Sequence, residues 1–217
     1  MTLGLAARVA VGAAFLAAAA PDGFTPARYL GGSPPPIPVQ AIGGGEVFVE
    51  LTVDESGLVT AVTPLRTTPP FTDAVVNAVR DWTFTPAIEA ATSSAPARGV
   101  ATRILVAAVF RPPSLNAPTF GVQPQDVAAP SDAVAVPTST VMPPFPPNAL
   151  FDGTVLVECH VGPAGQLLGT KVLRSKPPFD RLALDAVKQW TFRPATHGRQ
   201  RVDAYTYVSF SFRQPIT

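Results

Sequence analysis

One long stretch of this chain is written twice. Residues 35–87 recur without a gap as residues 143–195, at an offset of 108 set by Trp82 and Trp190. Matched pairs include Gly45/Gly153, Val47/Val155, Val49/Val157, Glu50/Glu158, Gly57/Gly165, Arg66/Arg174, Phe71/Phe179, Trp82/Trp190 and Phe84/Phe192. Solenoid repeats have periods of roughly 20–50 residues. An offset this long predicts two copies of a small domain, and it constrains the fold before any motif is considered.

Each copy carries the same signals in the same order. Val47, Val49, Leu51 and Val53 alternate with Phe48, Glu50 and Thr52, the pattern of a half-buried strand. Asp54-Glu55-Ser56-Gly57 and Gly162-Pro163-Ala164-Gly165 are turns. Second strands follow over 58–66 and 167–174, stopped by Pro69-Pro70 and Pro177-Pro178. The period then changes. Val75, Ala78, Val79 and Trp82 lie at helical spacing, as do Ala183, Ala186, Val187 and Trp190. Thr72 and Asp180 stand where an N-cap is wanted. A last strand runs over 100–110 and 202–212, and the first copy has six extra loop residues before it, around Ala90–Ala97.

The fold class is therefore α+β: two tandem β-β-α-β domains, each a three-stranded antiparallel sheet of order 2-1-3 with one covering helix. A right-handed strand-helix-strand crossover sets the third strand beside the first. That leaves the third strand at an edge with unpaired N–H and C=O groups. The expected organisation is a signal peptide or membrane anchor at 1–20, a Pro/Gly linker at 21–34, a first domain at 35–111, a Pro-rich linker at 112–142 and a second domain at 143–217. Extended polyproline covers about 3.1 Å per residue, so two such linkers plus the first domain would let the second copy explore on the order of 200 Å.

Composition excludes several classes. The chain has 217 residues, 14% charged, with a net charge of +1 and no basic stripe interleaved with aromatics, so nucleic acid is not an expected partner. Residues 143–217 hold nine basic and five acidic residues against seven and ten elsewhere, so the halves differ in sign. Cys159 is the single cysteine and lies in a period-2 apolar series, which suits a buried small residue and allows no intrachain disulfide. His160 and His197 have no Asp/Glu/Cys cluster at ligand spacing, and no nucleophile-base set joins either. No catalytic residue, metal or cofactor is expected, and the chain reads as a non-enzyme. At the amino end, Arg8 is followed by an uninterrupted small-apolar run from Val9 to Ala20, then Pro21-Asp22-Gly23. This reads as either a cleaved secretory signal or a retained anchor.

With these residues in hand, the chain resembles the carboxy-terminal domain of TonB-type energy transducers. The resemblance rests on a Pro-x-Pro lead-in, Gly-x-Val-x-Val, a helix opening at Phe-Asp, Ala-Val-x-x-Trp-x-Phe-x-Pro-Ala and a final aromatic-rich strand, YTYVSFSF in the second copy. The usual lead-in is Tyr-Pro; here it is Ile37-Pro38 and Phe145-Pro146. The resemblance implies a periplasmic module, inner-membrane anchored or secreted. It would take a segment of an outer-membrane transporter as an added strand, and inner-membrane motor proteins would pull on its amino-terminal anchor. An exposed strand edge suits that mode of recognition. The second copy is the expected receptor, with Val202, Asp203, Tyr205, Tyr207, Ser209, Phe210 and Phe212 on the partner-binding edge. Phe145, Pro146 and Arg174 are further expected partner contacts. In the first copy Leu105, Ala107 and Val109 make both faces of the last strand apolar, and such a strand is usually covered on both. The first copy is thus expected to dock against the second or against another chain.

Overall fold

Alternating apolar residues form strands where the pattern predicts them, and one tight turn in each half closes the first two into a hairpin. Gly57 and Gly165 take φ of 89° and 81°, a left-handed backbone that favours glycine. Asp54 Oδ1 accepts from the N–H groups of Ser56 and Leu58, which fixes the first turn. The computed structural model describes residues 23–41, 43–113, 122–147 and 149–215. The expected signal or anchor at 1–20 lies outside them. Two short strands come first, β1 (Phe24–Thr25) and β2 (Tyr29–Gly31). The first half then runs β3 (Gly45–Val53), β4 (Val59–Thr67), α1 (Phe71–Val79), β5 (Thr83–Phe84), β6 (Ala87–Glu89), β7 (Arg98–Val100) and β8 (Thr102–Arg111). The connecting segment supplies β9 (Gln125–Asp126) and β10 (Val136–Ser139). The second half runs β11 (Gly153–Val161), β12 (Leu167–Arg174), α2 (Phe179–Val187), β13 (Thr191–Arg193), β14 (Ala195–His197), β15 (Gln200–Val202) and β16 (Ala204–Phe212). The architecture is mixed α+β.

The helices differ from the expectation in two details. Both are capped by a proline, Pro70 and Pro178, with no side-chain cap bond. Thr72 and Asp180 are instead the second residues of the helices and reach back: Thr72 Oγ1 accepts from Thr68 N–H at 2.9 Å, and Asp180 Oδ1 from Lys176 N–H at 2.6 Å. Trp82 and Trp190 lie just past the helix ends, where each N–H donates to the carbonyl of Val79 or Val187. Their indole N–H groups donate to Ser33 and Val141 carbonyls at 2.8 and 3.0 Å. These acceptors are again 108 residues apart, so the recurrence extends upstream of residue 35. The pairings Tyr29↔Phe84 and Pro137↔Phe192 follow the same offset.

Two separate three-stranded sheets were expected, and the long strands of both halves are found in one sheet. Its seven strands run β12-β11-β16-β8-β3-β4-β9. Within each half the order is 2-1-3 and antiparallel, and the halves join where β16 lies parallel to β8, from Thr206↔Leu105 to Phe212↔Arg111. The connecting segment is not a free polyproline spacer. Val134 and Ala135 are buried, β10 pairs with β13, and β9 lies along β4.

The parallel seam decides which face each helix covers. Phe110 stacks on Phe71 of α1, while Phe212 stacks on Phe179 of α2. Phe110 is in register with Ser211, and neighbouring side chains on one strand point to opposite faces. The two helices therefore cover opposite faces of one sheet. This answers the apolar excess of the first copy's last strand: Val106 and Ala108 face the α1 side, Leu105, Ala107 and Val109 face the α2 side, and all five are at most 2% exposed.

Candidate functional site

The expected receptor edge is not an edge. β16 has β11 on one side and β8 on the other. Val202, Tyr207, Ser209, Phe210 and Phe212 are buried, and only Asp203 and Tyr205 keep partial exposure. The polar alternation that suggested a solvated face has another cause. Tyr207, Ser209 and Ser211 point to the α1 side, where the first half and the segment ahead of it cover them. Tyr207 lies 5.8 Å from Tyr29, 6.3 Å from Trp82 and 5.7 Å from Phe84, ring centre to ring centre. Tyr29 N–H donates to its hydroxyl at 2.8 Å. Burial holds the Tyr207 phenol well above its usual pKa. Ser211 Oγ is 3.2 Å from Thr154 Oγ1, while Ser209 Oγ is buried with no hydrogen-bond partner.

The coverage is reciprocal. Arg28, ahead of the first half, donates to the buried Glu158 carboxylate of β11 at 2.5 Å, and its guanidinium lies 4.8 Å from the Tyr205 ring centre. Tyr205 stacks on His160, whose Nε2 is 3.2 Å from Asp203 Oδ2. In the first half the equivalent carboxylate, Glu50, takes a bond from Arg103 and one from Ser131 N–H of the connecting segment. Thr206 Oγ1 donates to the Ala135 carbonyl at 2.7 Å. Each preceding segment thus seals the outer face of the other half. A buried carboxylate without its cation costs several kcal/mol, so the Arg28–Glu158 pair fixes the docking of the leading segment on the second half as well as the apolar contacts do.

The other expected contacts divide. Phe145 is buried 5.9 Å from Phe179, with the Arg111 guanidinium 5.6 Å from its ring centre, so it serves the core and not a partner. The Pro146 carbonyl accepts from Ala149 N–H at 3.1 Å and closes a local turn. Arg174 is exposed at the end of β12. His197 lies in β14 and stacks on Phe24 at 4.3 Å. Cys159 is fully buried, which pushes its thiol pKa up. It should not react with a thiol reagent at pH 8 until the chain is unfolded in denaturant; labelling at the unfolded rate under native conditions would contradict the fold.

A cavity of about 340 Å³ opens where β8 and β16 begin, lined by Phe24, Ile104, Val134, His197 and Tyr205 among others. Its charged neighbours are already paired: Arg103 with Glu50, Asp203 with His160, and His197 with Glu89 at 3.1 Å. Among the described residues no group of three His, Cys, Asp or Glu side chains is placed to hold a metal, and no helix is long and apolar enough to cross a membrane.

The sheet's true margins are β12 and the β4–β9 end. The first is bare among the described residues; the second is covered by β9. Sequence reasoning missed β12 because both copies have a second strand of similar pattern, and only the partner across the seam decides which margins remain.

No curated protein matches the chain. Residues 145–214, which span β11 to β16 and include the buried Phe145, match the family described as the Gram-negative bacterial TonB protein C-terminal, so the carboxy-terminal part of this chain is TonB-like and similar to an envelope-associated family.

Proposed function

We propose that this is a periplasmic binding protein made of two TonB C-terminal-like units, acting as an adaptor or scaffold in the cell envelope without catalysing a reaction. The observation that carries this reading is the seam: β16 is paired with β8 over seven register positions. In the family, the place beside the third strand takes the transporter segment; in this chain that place is occupied by the chain's own backbone. A scaffold that meets outer-membrane proteins through other surfaces keeps the seam closed.

The energy-coupled reading draws support from the family match at 145–214 and from the apolar run Val9–Ala20 behind Arg8, which would serve as an inner-membrane anchor. It requires the seam to open so that a transporter segment can replace β8. The mature amino terminus and the membrane partition of the native protein separate the two. A mature start near Ala20 in the soluble envelope extract is the expected result. An intact Met1 recovered only with inner membrane would overturn the adaptor reading and favour a force-bearing transducer.

A further inference from the structure

The chain treats its two sheet margins differently. At β4 it guards the margin twice. Pro64 sits at a bulge where the register steps from Val49↔Pro64 to Phe48↔Arg66; proline has no N–H to offer, so this position gives an incoming strand no donor. β9 then lies antiparallel on the margin, Arg66↔Asp126 and Thr67↔Gln125, and Val127 N–H donates to the Leu65 carbonyl at 2.8 Å. A two-pronged contact locks it: Arg66 Nε donates to Asp126 Oδ1 at 2.7 Å and Nη2 to Oδ2 at 3.2 Å. Arg66 also donates to Glu46 at 2.6 Å.

β12 repeats this margin without its guards. The same bulge recurs, from Val157↔Val172 to Leu156↔Arg174. At the 108-residue offset, Val172 replaces Pro64 and restores a donor, and Arg174 repeats Arg66. Both carboxylates that hold Arg66 are gone. Glu46 becomes Thr154, and no described strand lies outside β12. Arg174 and Lys171 are exposed, and neither forms an ion pair among the described residues.

We propose that β12 is an acceptor for an extended segment of another protein, with Val172 and its neighbours supplying main-chain bonds and Arg174 gripping an acidic side chain of the added strand. The chain itself carries the template, since β9 with Asp126 does this at β4. A second copy of this chain is disfavoured as the occupant, because pairing two β12 strands would bring Lys171 and Arg174 against their own kind. The proposal deepens the reading of the chain as a binding module and rests on it.

The test is a fluorescence-anisotropy titration of the full chain with a labelled, capped decapeptide alternating Thr or Val with Asp. Arg174→Ala should weaken binding at least ~10-fold, and Arg199→Ala, an exposed cation on the β14–β15 turn, should leave it unchanged. Val172→Pro should abolish binding while keeping the fold, since Pro64 is tolerated at the same bulge. N-methylation of the peptide on one set of alternate residues should abolish binding and on the other set should not. Equal binding by both methylated peptides, or parent-like binding by Val172→Pro, would show charge capture without strand addition and overturn the proposal. So would sedimentation as a dimer that Val172→Pro dissociates, with no peptide bound. An anchored chain with intact Met1 would sink the adaptor reading and leave these titrations standing, so the two failures are distinguishable.

Discussion

Ala108→Asp should split the sheet down its middle. Ala108 is wholly buried, in register with Ser209 across the seam and with Val47 on its other side. No cation faces it. A fully buried carboxyl has its pKa raised by up to about 3–5 units; at pH 7 only the ~3 units between its unfolded pKa and the solution pH count, so at about 1.4 kcal/mol per unit the loss is ~4 kcal/mol, most of the stability of a domain at the low end of the ~5–15 kcal/mol range. The sign of the pH dependence follows. A carboxyl whose folded pKa is raised has no ionisation penalty below its unfolded value near ~4, and that penalty grows as pH rises towards the folded pKa. Urea unfolding at pH 4 and pH 7 should therefore show a variant that in acid loses only what fitting a neutral polar side chain costs, as Ala108→Ser does at any pH, and is far weaker at neutrality. Ala108→Ser, which adds a hydroxyl beside the unpartnered Ser209 Oγ, should lose only about 1–3 kcal/mol. Equal losses for Ser and Asp would mean the seam is looser than described.

Gly57→Ala should be nearly as damaging for a different reason. Its φ of 89° disfavours any side chain, and a Cβ there would overlap the Phe84 carbonyl oxygen. Phe84 cannot retreat. Its N–H donates to Gly57 O at 2.9 Å, its strand pairs with Tyr29, and its ring lies against Tyr207. Left-handed backbone and forced displacement together predict a loss of roughly 2–5 kcal/mol, read as a drop in thermal midpoint. Gly165→Ala meets the Phe192 carbonyl in the same way. Its effect should be similar, because the two turns carry the same geometry.

These two cases mark what the sequence could and could not convey. Gly57 and Gly165 were legible because a turn is local: four residues decide it. The period-2 strands and the helix faces were legible for the same reason. The seam was not, because alternation tells a strand which face is buried but not which strand lies beside it. Tyr207, Ser209 and Ser211 misled most. Three polar residues in alternation imitate a solvated face, yet the tyrosine hydroxyl and Ser211 found partners inside. The counter-signal was present in Leu105, Ala107 and Val109, which asked for a cover on a second face. The connecting segment held another in Val134-Ala135-Val136, an apolar run that a free polyproline spacer does not need.

The parallel seam also sets the order in which the molecule can be completed. No hairpin can produce it, because it joins residues about a hundred positions apart, Leu105 to Thr206. Contacts this distant in sequence are slow to close. As the molecule folds, the flank of β8 therefore stays bare until β16 has docked along it. The first half alone is an unfinished surface, and a strand from the other half is what lets it stand.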